Sequence, residues 1–441
     1  MRITNWGNYP IIDAEVFDFS NVTELREIIQ KNVECIPRGM GRCYGDSALN
    51  SSIISTLRFN RFLEFDEEEG TLRCESGVTL EEILEVIVPK GWFLSVTPGT
   101  KEITIGGAIG SDVHGKNHHK AGAFSSHLLS MKIMLSDGSV TECSPVSNSE
   151  LFHATCGGMG LTGIVIEAVI KLKKIETVYV KETSIRASCL EEVMSLIEES
   201  EHYSYSVAWI DCLSKGKSLG RSHLMLGEFA SVDEVKGKIR NKNPLAIPKK
   251  RKLGVPSFFP GFLLNSLTIK LFNMLFYYKH IPKRKIRLVA YDSFFYPLDV
   301  IRNWNRLYGK SGFTQYQMVL PIEQSKEGFT KILTLIAQNK IGAFLSILKT
   351  FGEQDGVLSF PRRGYTLTLD MPISKKALTF MDMLDDVILN FGGRLYLTKD
   401  VRMKKNMFMQ SYANSDKFIK FKHEVDANNR FHSLQSKRIG I

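Results

Sequence analysis

The chain has 441 residues, of which 43% are hydrophobic and 24% are charged, and its formal net charge is +10. This composition is typical of a folded globular protein of about two domains and excludes long disordered or low-complexity regions. The positive charge favours an anionic partner, which is a phosphorylated substrate, a nucleic acid or an acidic membrane surface.

The cysteines and the N-terminus predict the compartment. Seven cysteines are an odd number, and they include no CxxC pair. The first residues, MRITNWGNYP, lack the apolar core of a signal peptide. We therefore expect reduced thiols and a cytoplasmic chain.

Residues 1–180 predict an α/β arrangement. Helices are expected at NVTELREIIQKN and LEEILEVIVPKG, and strands at IISTLRF, GTLRCESG and IVIEAVIKLKK. Residues 181–393 have more aromatics and fewer glycine clusters. From residue 394 the pattern predicts a strand, RLYLTKD, and then a helix, DKFIKFKHEV.

The segment 246–287 is basic and amphipathic. Leu264, Leu267, Leu271 and Leu275 have helical spacing, and two basic clusters flank them, Lys249–Lys252 and Lys283–Lys285. A spanning helix needs roughly 20 apolar residues, and polar side chains interrupt this run. Two interpretations stay open, an interfacial helix attracted to anionic lipid and an ordinary helix packed on the core. No nucleic-acid-binding signature accompanies the basic flanks, so we expect no nucleic acid partner.

Three glycine-rich stretches occupy the first part of the chain, at residues 37–50, 97–119 and 156–165. Glycine lets backbone N–H groups approach a phosphate closely. None of the stretches has the GxGxxG arrangement of a dinucleotide fold or the GxxxxGK[ST] of a P-loop. Three such stretches together predict a large cofactor held by several loops.

The second stretch is also rich in histidine, with His114, His118 and His119 followed by His127. Two of these on one helical face would suit zinc, but the surrounding glycines predict a loop. No HExxH pattern or nearby cysteine partner supports a metal site. Cofactor binding, structural hydrogen bonding and metal binding all remain interpretations, and we expect no metal.

These residues resemble a known family. The three stretches are similar to the FAD-binding domain of the vanillyl-alcohol-oxidase/p-cresol-methylhydroxylase superfamily. Within it, the motifs GRCYGD, PGTKEITIGGAI, DVHGKNHH, GGMGLTG, GFTQYQMVLP and RLYLTKD resemble the decaprenylphosphoryl-β-D-ribose oxidase branch over nearly the whole chain. The resemblance implies an α+β fold with a two-subdomain FAD-binding domain at 1–178, completed by 394–441. A substrate domain at 179–393 would hold an antiparallel sheet flanked by helices.

The resemblance also implies which residues bind FAD. The branch holds FAD noncovalently, and GRCYGD offers no histidine for attachment, although Cys43 is nearby. The expected cofactor-binding residues are Gly39, Gly41, Arg42, Cys43, Tyr44, Pro98, Gly99, Thr100, Gly106, Gly107, His114, Gly115, Asn117, Gly160, Gly163, Ile164 and Lys399.

On the substrate side, the resemblance implies two groups of residues. The expected catalytic residues are Lys399, Tyr296 and Lys349, with Lys399 or Tyr296 accepting the hydroxyl proton. The expected substrate-binding residues are Lys116, Trp209, Gln315, Gln317, Lys349 and Thr368. A lysine within an apolar run, such as Lys349 or Lys399, must be paired, extended to the surface or functional.

The chain departs from the branch in the strand GYTLTLDMP. Actinobacterial members have a cysteine there, which mechanism-based nitroaromatic inhibitors attack, whereas this chain has Thr368. Thr366 likewise replaces an asparagine. The Thr368 change suggests that the sugar differs from ribose.

The implied reaction oxidises a secondary hydroxyl of a sugar to a ketone by hydride transfer to flavin N5. The sugar would be linked to a polyprenyl phosphate, and a short-chain dehydrogenase/reductase partner would complete an epimerisation in cell-wall or polysaccharide synthesis. Peripheral membrane contact through 246–287 would fit a lipid-linked substrate. The alternatives are a soluble sugar, alditol or aldonolactone oxidase of the same superfamily, a flavin-binding protein without turnover, and a zinc hydrolase.

Overall fold

The computed structural model describes residues 1–239, 243–247, 253–256, 260, 265–279, 282–343 and 345–441. Helices and mostly antiparallel sheets occur in these ranges, which confirms the expected α+β class. No helix within them is both long and apolar enough to cross a bilayer. Of the residues singled out in the predicted basic segment, Lys249, Lys250, Arg251, Lys252 and Leu264 lie outside the described residues.

A small parallel sheet begins the fold. Its strands, in spatial order, are Glu15–Asp18, Ser52–Ser55 and Ile36–Arg38. The helix Val22–Lys31 connects Glu15–Asp18 with Ile36–Arg38, which both run parallel to the central strand Ser52–Ser55. Asn21 caps this helix by accepting a hydrogen bond from the Glu24 amide, and Leu25 and Ile29 are buried beneath it. The helix predicted at NVTELREIIQKN is confirmed.

A second, antiparallel sheet supports the glycine loops. Its strands, in spatial order, are Val140–Cys143, Leu128–Met134, Ile164–Lys174, Thr71–Glu75 and Phe62–Asp66, with Trp92–Leu94 paired to the end of Ile164–Lys174. Helix Leu80–Ile87 packs nearby and begins with a capping box between Thr79 and Glu82. The strands predicted at GTLRCESG and IVIEAVIKLKK and the helix predicted at LEEILEVIVPKG are confirmed.

The third sheet is the largest and forms one wall of the candidate site. Its eight strands, in spatial order, are Arg284–Ala290, Tyr179–Ala187, Ser222–Phe229, Tyr205–Ile210, Ser346–Phe351, Gly364–Pro372, Phe313–Pro321 and Arg394–Leu395. Neighbouring strands run antiparallel. Three helices cover one side with a continuous apolar core: Leu190–Glu199, Ile322–Asn339 and Lys375–Asn390.

The remaining described elements are short or lie at the edges. The strands are Arg2–Ile3, Ile12–Asp13, Leu253–Gly254 and Ile301–Arg302. The helices are Ser149–Thr155, Val232–Ile239, Ser266–Tyr278, Tyr291–Phe295, Lys405–Ser411, Ser415–Val425 and Leu434–Ile439. The helix predicted at DKFIKFKHEV is confirmed by Ser415–Val425. We call Ser266–Tyr278 the rim helix.

Two local predictions were wrong. The glycine-rich stretch 107–119 was expected to be a loop, but it contains parts of two short helices, Ile105–Gly110 and His118–Ala121. Thr104 caps the first of them by accepting a hydrogen bond from the Gly107 amide, which offsets the low helix propensity of glycine. The strand predicted at RLYLTKD is only Arg394–Leu395, because the chain then turns in the 3₁₀ helix Leu397–Lys399.

The C-terminal segment contacts both parts of the molecule. Arg394–Leu395 pairs with the large sheet, whereas the Leu434 amide donates to the Leu49 carbonyl and Phe431 bridges to Cys35. A buried ion pair fixes this segment: Lys422 Nζ lies 3.2 Å from Asp426 Oδ2, and neither side chain is exposed. Asp426 also accepts hydrogen bonds from two backbone amides of the following turn.

Replacing Lys422 with methionine is expected to lower the free energy of unfolding by about 3–5 kcal/mol, because it leaves the buried Asp426 carboxylate without its cation. Denaturant unfolding measures this loss. Lys417→Met on the same helix is the matched control, since Lys417 is 62% exposed and surface pairs contribute about 0–1 kcal/mol. Equal unfolding midpoints for the two variants would contradict the assignment.

Candidate active site

A cavity of ≈ 590 Å³ lies between the glycine loops and the open face of the large sheet. Its volume falls within the range of roughly 300–1,000 Å³ found for small-molecule and cofactor sites. All three glycine-rich stretches contribute to its lining, together with strands of the large sheet and the rim helix. The structure thus brings together segments that are far apart in the chain.

Most of the residues expected at the site line this cavity. From the cofactor group these are Gly39, Gly41, Arg42, Cys43, Tyr44, Pro98, Gly99, Thr100, Gly106, Gly107, His114, Gly160, Gly163, Ile164 and Lys399. From the substrate and catalytic groups they are Lys116, Trp209, Gln315, Gln317, Lys349, Thr368 and Lys399. Three expected residues are not part of the lining: Gly115, Asn117 and Tyr296.

The glycine loops interlock. A Cβ on Gly160, which has φ +77°, would lie 2.8 Å from Cγ of Pro37 in the first loop. A Cβ on Gly39 would lie 2.2 Å from Oγ1 of Thr104 in the second. Arg42 also links the first loop to the second, since it forms an ion pair with Glu102, and it stacks on Trp6. Glycine is therefore needed at these two positions for the three loops to meet at one wall.

Two observations indicate that the wall formed by the glycine loops can bind a dinucleotide such as FAD. Gly99 is exposed to the cavity space, and a Cβ built there would meet no atom within 4 Å. His114 Nδ1 is buried and has no hydrogen-bond partner among the described residues, although buried polar atoms are normally satisfied. Glycine backbone can present N–H groups to a pyrophosphate, and a bound cofactor would supply the missing partner of the histidine.

His114 is held as a neutral ring. Gln317 Nε2 donates to His114 Nε2 at 2.9 Å and to Thr366 Oγ1 at 3.2 Å. The Thr366 hydroxyl in turn donates to the Met318 carbonyl at 2.8 Å. Burial lowers the pKa of His114 well below its usual range, so its one ring proton lies on the unpartnered Nδ1. No group of three metal-binding side chains occurs in the part of the chain that the structure describes.

Three lysines face the same cavity. Lys349 projects from strand Ser346–Phe351, Lys399 Nζ lies 4.0 Å from the centre of the Tyr44 ring, and Lys116 Nζ lies 4.3 Å from that of Phe294. Burial lowers the pKa of Lys116 to about 7, of Lys349 to about 8 and of Lys399 to about 7. The cavity is therefore suited to an anionic ligand, and it holds amines that deprotonate near neutral pH.

Asp370 lies beneath this group and was not predicted. It is fully buried, accepting hydrogen bonds from Gln315 Nε2 at 2.5 Å and from the Tyr308 hydroxyl at 3.1 Å. Burial raises its pKa to about 6, and its charge favours the protonated form of Lys399. Alternation along GYTLTLDMP was the available signal, because it places Thr366, Thr368 and Asp370 on one face of the strand.

Tyr296, expected as an alternative proton acceptor, points elsewhere. Its hydroxyl lies 2.6 Å from the Thr97 hydroxyl, and neither residue lines the cavity. Burial raises its pKa well above the usual range, so the phenol stays protonated. The structure thus argues against proton acceptance by Tyr296.

Gly115 and Asn117 do not line the cavity but contact the neighbouring residues 95–97. A Cβ on Gly115 would lie 2.8 Å from the Thr97 carbonyl oxygen, and Asn117 Nδ2 donates to the Ser95 carbonyl at 2.8 Å. Both contacts hold the histidine loop against residues 95–97. Neither residue is part of the cavity lining, so their role in holding the cofactor stays a prediction.

Comparison with known proteins identifies the family. The FAD binding domain family matches residues 19–144. The decaprenylphosphoryl-beta-D-ribose oxidase of Mycolicibacterium smegmatis is 35% identical over 100% of this chain and 97% of its own length. The chain belongs to the decaprenylphosphoryl-beta-D-ribose oxidase family. It is accordingly an FAD-dependent oxidoreductase, which confirms the cofactor and the enzyme class expected from the sequence.

More distant relatives match shorter parts. The L-gulonolactone oxidase of Mus musculus is 26% identical over 46% of this chain and 48% of its own length. The Delta(24)-sterol reductase of Homo sapiens is 32% identical over 25% of this chain and 21% of its own length. Of these three relatives, the decaprenylphosphoryl-beta-D-ribose oxidase is matched over the whole of this chain, and the other two are matched over less than half of it.

Thr368, which the resemblance places at the position of a cysteine in actinobacterial members, lines the cavity. We expect no stable covalent adduct after turnover with a nitroaromatic inhibitor, because a threonine hydroxyl lacks the nucleophilicity of a thiolate. Intact-mass measurement checks this, with Thr368→Cys as the variant expected to gain an adduct. An adduct on the unaltered chain would contradict the placement of Thr368.

Proposed function

We propose that this chain oxidises a secondary hydroxyl of a sugar carried on a polyprenyl phosphate, giving a ketone. The observation that carries the proposal is the cavity that combines three glycine loops with Lys116, Lys349 and Lys399. The sugar and its carrier are inferred from the name of the relative that is matched over 97% of its own length. A cationic cavity suits a phosphate-bearing substrate, whereas a free alditol carries no charge to recognise.

The cofactor would be held by the cavity-lining residues of the glycine loops, with Arg42 and Glu102 fixing the first loop against the second. Bound FAD supplies the hydride acceptor. Residues 1–178 and 394–441 would form the FAD-binding domain, and residues 179–393 the substrate domain. We propose noncovalent binding, because burial raises the pKa of the Cys43 thiol and so makes it a poor nucleophile.

Lys399 is the proposed proton acceptor. A neutral amine in a cavity can take the hydroxyl proton as the carbon loses its hydride. Lys116 and Lys349 would attract the substrate phosphate through their charge, and Gln315 and Gln317 would orient the sugar by hydrogen bonds. Trp209 and Thr368 would shape the pocket for the sugar ring. Asp370 acts indirectly, by positioning Gln315 and stabilising the charge on Lys399 after proton transfer.

The pH dependence of kcat/KM is expected to be bell-shaped. Burial lowers the pKa of Lys399 to about 7, although Asp370 opposes the shift. Activity should therefore rise with pH through about 7, as Lys399 becomes neutral. It should fall above about 8, because Lys116 loses the charge that attracts phosphate near pH 7 and Lys349 loses it near pH 8. Lys399→Met should lack the acidic limb of the profile, and a flat profile across neutral pH would contradict these roles.

The product has further consequences. A ketone that regains a hydride on the opposite face gives the epimer, so we propose a short-chain dehydrogenase/reductase as the partner and cell-wall or polysaccharide synthesis as the setting. We also propose peripheral membrane contact through the described part of 246–287.

The proposal is tested by anaerobic bleaching of the flavin absorption with three matched substrates. These are a polyprenyl-phosphoryl pentose, the same pentose without its lipid phosphate, and a free alditol. Bleaching by the first alone is the expected result. Bleaching by the free alditol at an equal rate would instead establish a soluble sugar oxidase. Flavin that binds but is bleached by none of the three would overturn the proposed reaction.

A further inference from the structure

The rim helix Ser266–Tyr278 has an unusual outer face. Leu267, Leu271, Met274, Leu275 and Tyr278 are 75%, 53%, 44%, 61% and 57% exposed. Soluble proteins rarely leave so many large apolar side chains together in water. An exposed apolar face of this kind is typical of a surface that binds another molecule or a membrane.

The inner face of the same helix is well anchored. Asn273 Nδ2 donates to Asp211 Oδ1 at 2.7 Å, and the Tyr277 carbonyl lies 2.8 Å from His223 Nε2. Phe276 packs on Trp209 with ring centres 4.6 Å apart. These contacts hold the helix on the large sheet, so its outer side chains are directed away from the protein core.

The rim helix also borders the candidate active site. Phe272, Phe276 and Lys279 are part of the cavity lining, and Phe272 is 36% exposed. The lining continues to Arg287 on the edge strand of the large sheet and to Glu182 on the neighbouring strand, which pair at 2.8 Å. The cavity therefore reaches the surface beside the rim helix, where the exposed residues Lys279 and Arg287 are part of its lining.

The charge of the chain is concentrated in the same region. Residues 235–291 contain fourteen lysines and arginines and no aspartate or glutamate. The rest of the chain has fewer basic than acidic residues, so this segment accounts for the positive net charge. Among the described members, Lys270, Lys279, Arg284 and Lys285 are exposed. An apolar face surrounded by cations matches an anionic bilayer, where acyl chains lie beneath acidic headgroups.

We propose that the outer face of the rim helix docks on an anionic lipid bilayer, so that a lipid-linked sugar reaches the cavity directly from the membrane along Phe272 and Phe276. This inference rests on the proposed function for its substrate but not for its docking surface. The isoprene chain would stay in the bilayer while the phosphate passes Lys279 and Arg287. The sugar would then lie among the lysines of the large sheet.

The test compares the FAD-loaded full chain with its Leu271→Glu/Leu275→Glu variant. Neither leucine lines the cavity. The matched control is Leu129→Glu/Val146→Glu, which alters two exposed apolar residues elsewhere. Co-sedimentation at low salt uses phosphatidylcholine vesicles with and without phosphatidylglycerol. Flavin bleaching is then measured with a long-chain polyprenyl-phosphoryl pentose in the vesicles and with a water-soluble two-isoprene analogue.

We expect the rim-helix variant to bind the anionic vesicles at least about 10-fold more weakly than the unaltered chain. It should slow only the reaction with the long-chain substrate, and the control variant should behave as the unaltered chain. Equal vesicle binding by both variants, or equal slowing with both substrates, would overturn the proposal. So would a dimer that the rim-helix variant abolishes, since a second copy would then cover the helix. Failure of the proposed function is distinguishable, because neither substrate would bleach the flavin while vesicle binding persisted.

Discussion

Lys399→Met is expected to slow flavin reduction by the substrate on the order of 100- to 10,000-fold, the contribution of a positioned proton acceptor. The substitution keeps an unbranched side chain that is one atom shorter, and it removes the amine. Lys399 Nζ lies 4.0 Å from the centre of the Tyr44 ring, and the charge of Asp370 favours its protonated form, so the amine is positioned to hold the proton that it accepts. Anaerobic stopped-flow absorption gives the rate directly.

Two controls separate chemistry from folding. Lys404→Met, a few residues away, alters a lysine whose side chain is 73% exposed and lies outside the cavity, so it should leave the rate unchanged. The flavin spectrum of Lys399→Met should remain that of bound FAD. Substitution with arginine should not restore activity, because a guanidinium stays protonated and cannot accept a proton. A Lys399→Met rate within a few-fold of the unaltered chain would exclude this lysine as the base.

The second large effect is expected at Gly99, where a leucine side chain would extend into the space proposed for FAD. Overpacking of this kind costs about 1–3 kcal/mol, which weakens FAD binding on the order of 10- to 100-fold. The fold should persist, because a Cβ at Gly99 meets no atom within 4 Å. Fluorescence titration of the apoprotein with FAD measures the dissociation constant.

Gly237→Leu provides the matched control for that experiment. Gly237 lies in helix Val232–Ile239, its Cβ would also meet no atom within 4 Å, and it is not part of the cavity lining. Its FAD affinity should equal that of the unaltered chain. Unchanged affinity in Gly99→Leu would mean that the cofactor does not pass this loop.

Local sequence patterns predicted the helices and strands that are specified by residues close together in the chain. The helix Val22–Lys31 follows from its cap and its apolar spacing, and the strand Ile164–Lys174 from its alternation. The glycine stretches predicted a cofactor wall because close backbone approach restricts the choice of residue. Family resemblance supplied the residues of the substrate side.

Features that depend on contacts between strands or between domains could not be predicted from the sequence. Asp370 gains its role only when the strand Phe313–Pro321 places Gln315 beside it. Tyr296 turns toward Thr97 because Tyr291–Phe295 forms a short helix before it. The spacing of leucines showed that the rim helix is amphipathic, but the contacts from Asn273 and Tyr277 decide which face is open.

Product analysis after one anaerobic turnover tests the central claim most directly. The unaltered FAD-loaded chain is mixed with a stoichiometric amount of polyprenyl-phosphoryl pentose, and the lipid is recovered for mass spectrometry before and after treatment with borodeuteride. The account predicts bleached flavin, loss of two hydrogen atoms from the sugar, and uptake of one deuterium at a single ring carbon. A sugar recovered unchanged while the flavin stays oxidised, or one released from its phosphate, would contradict it.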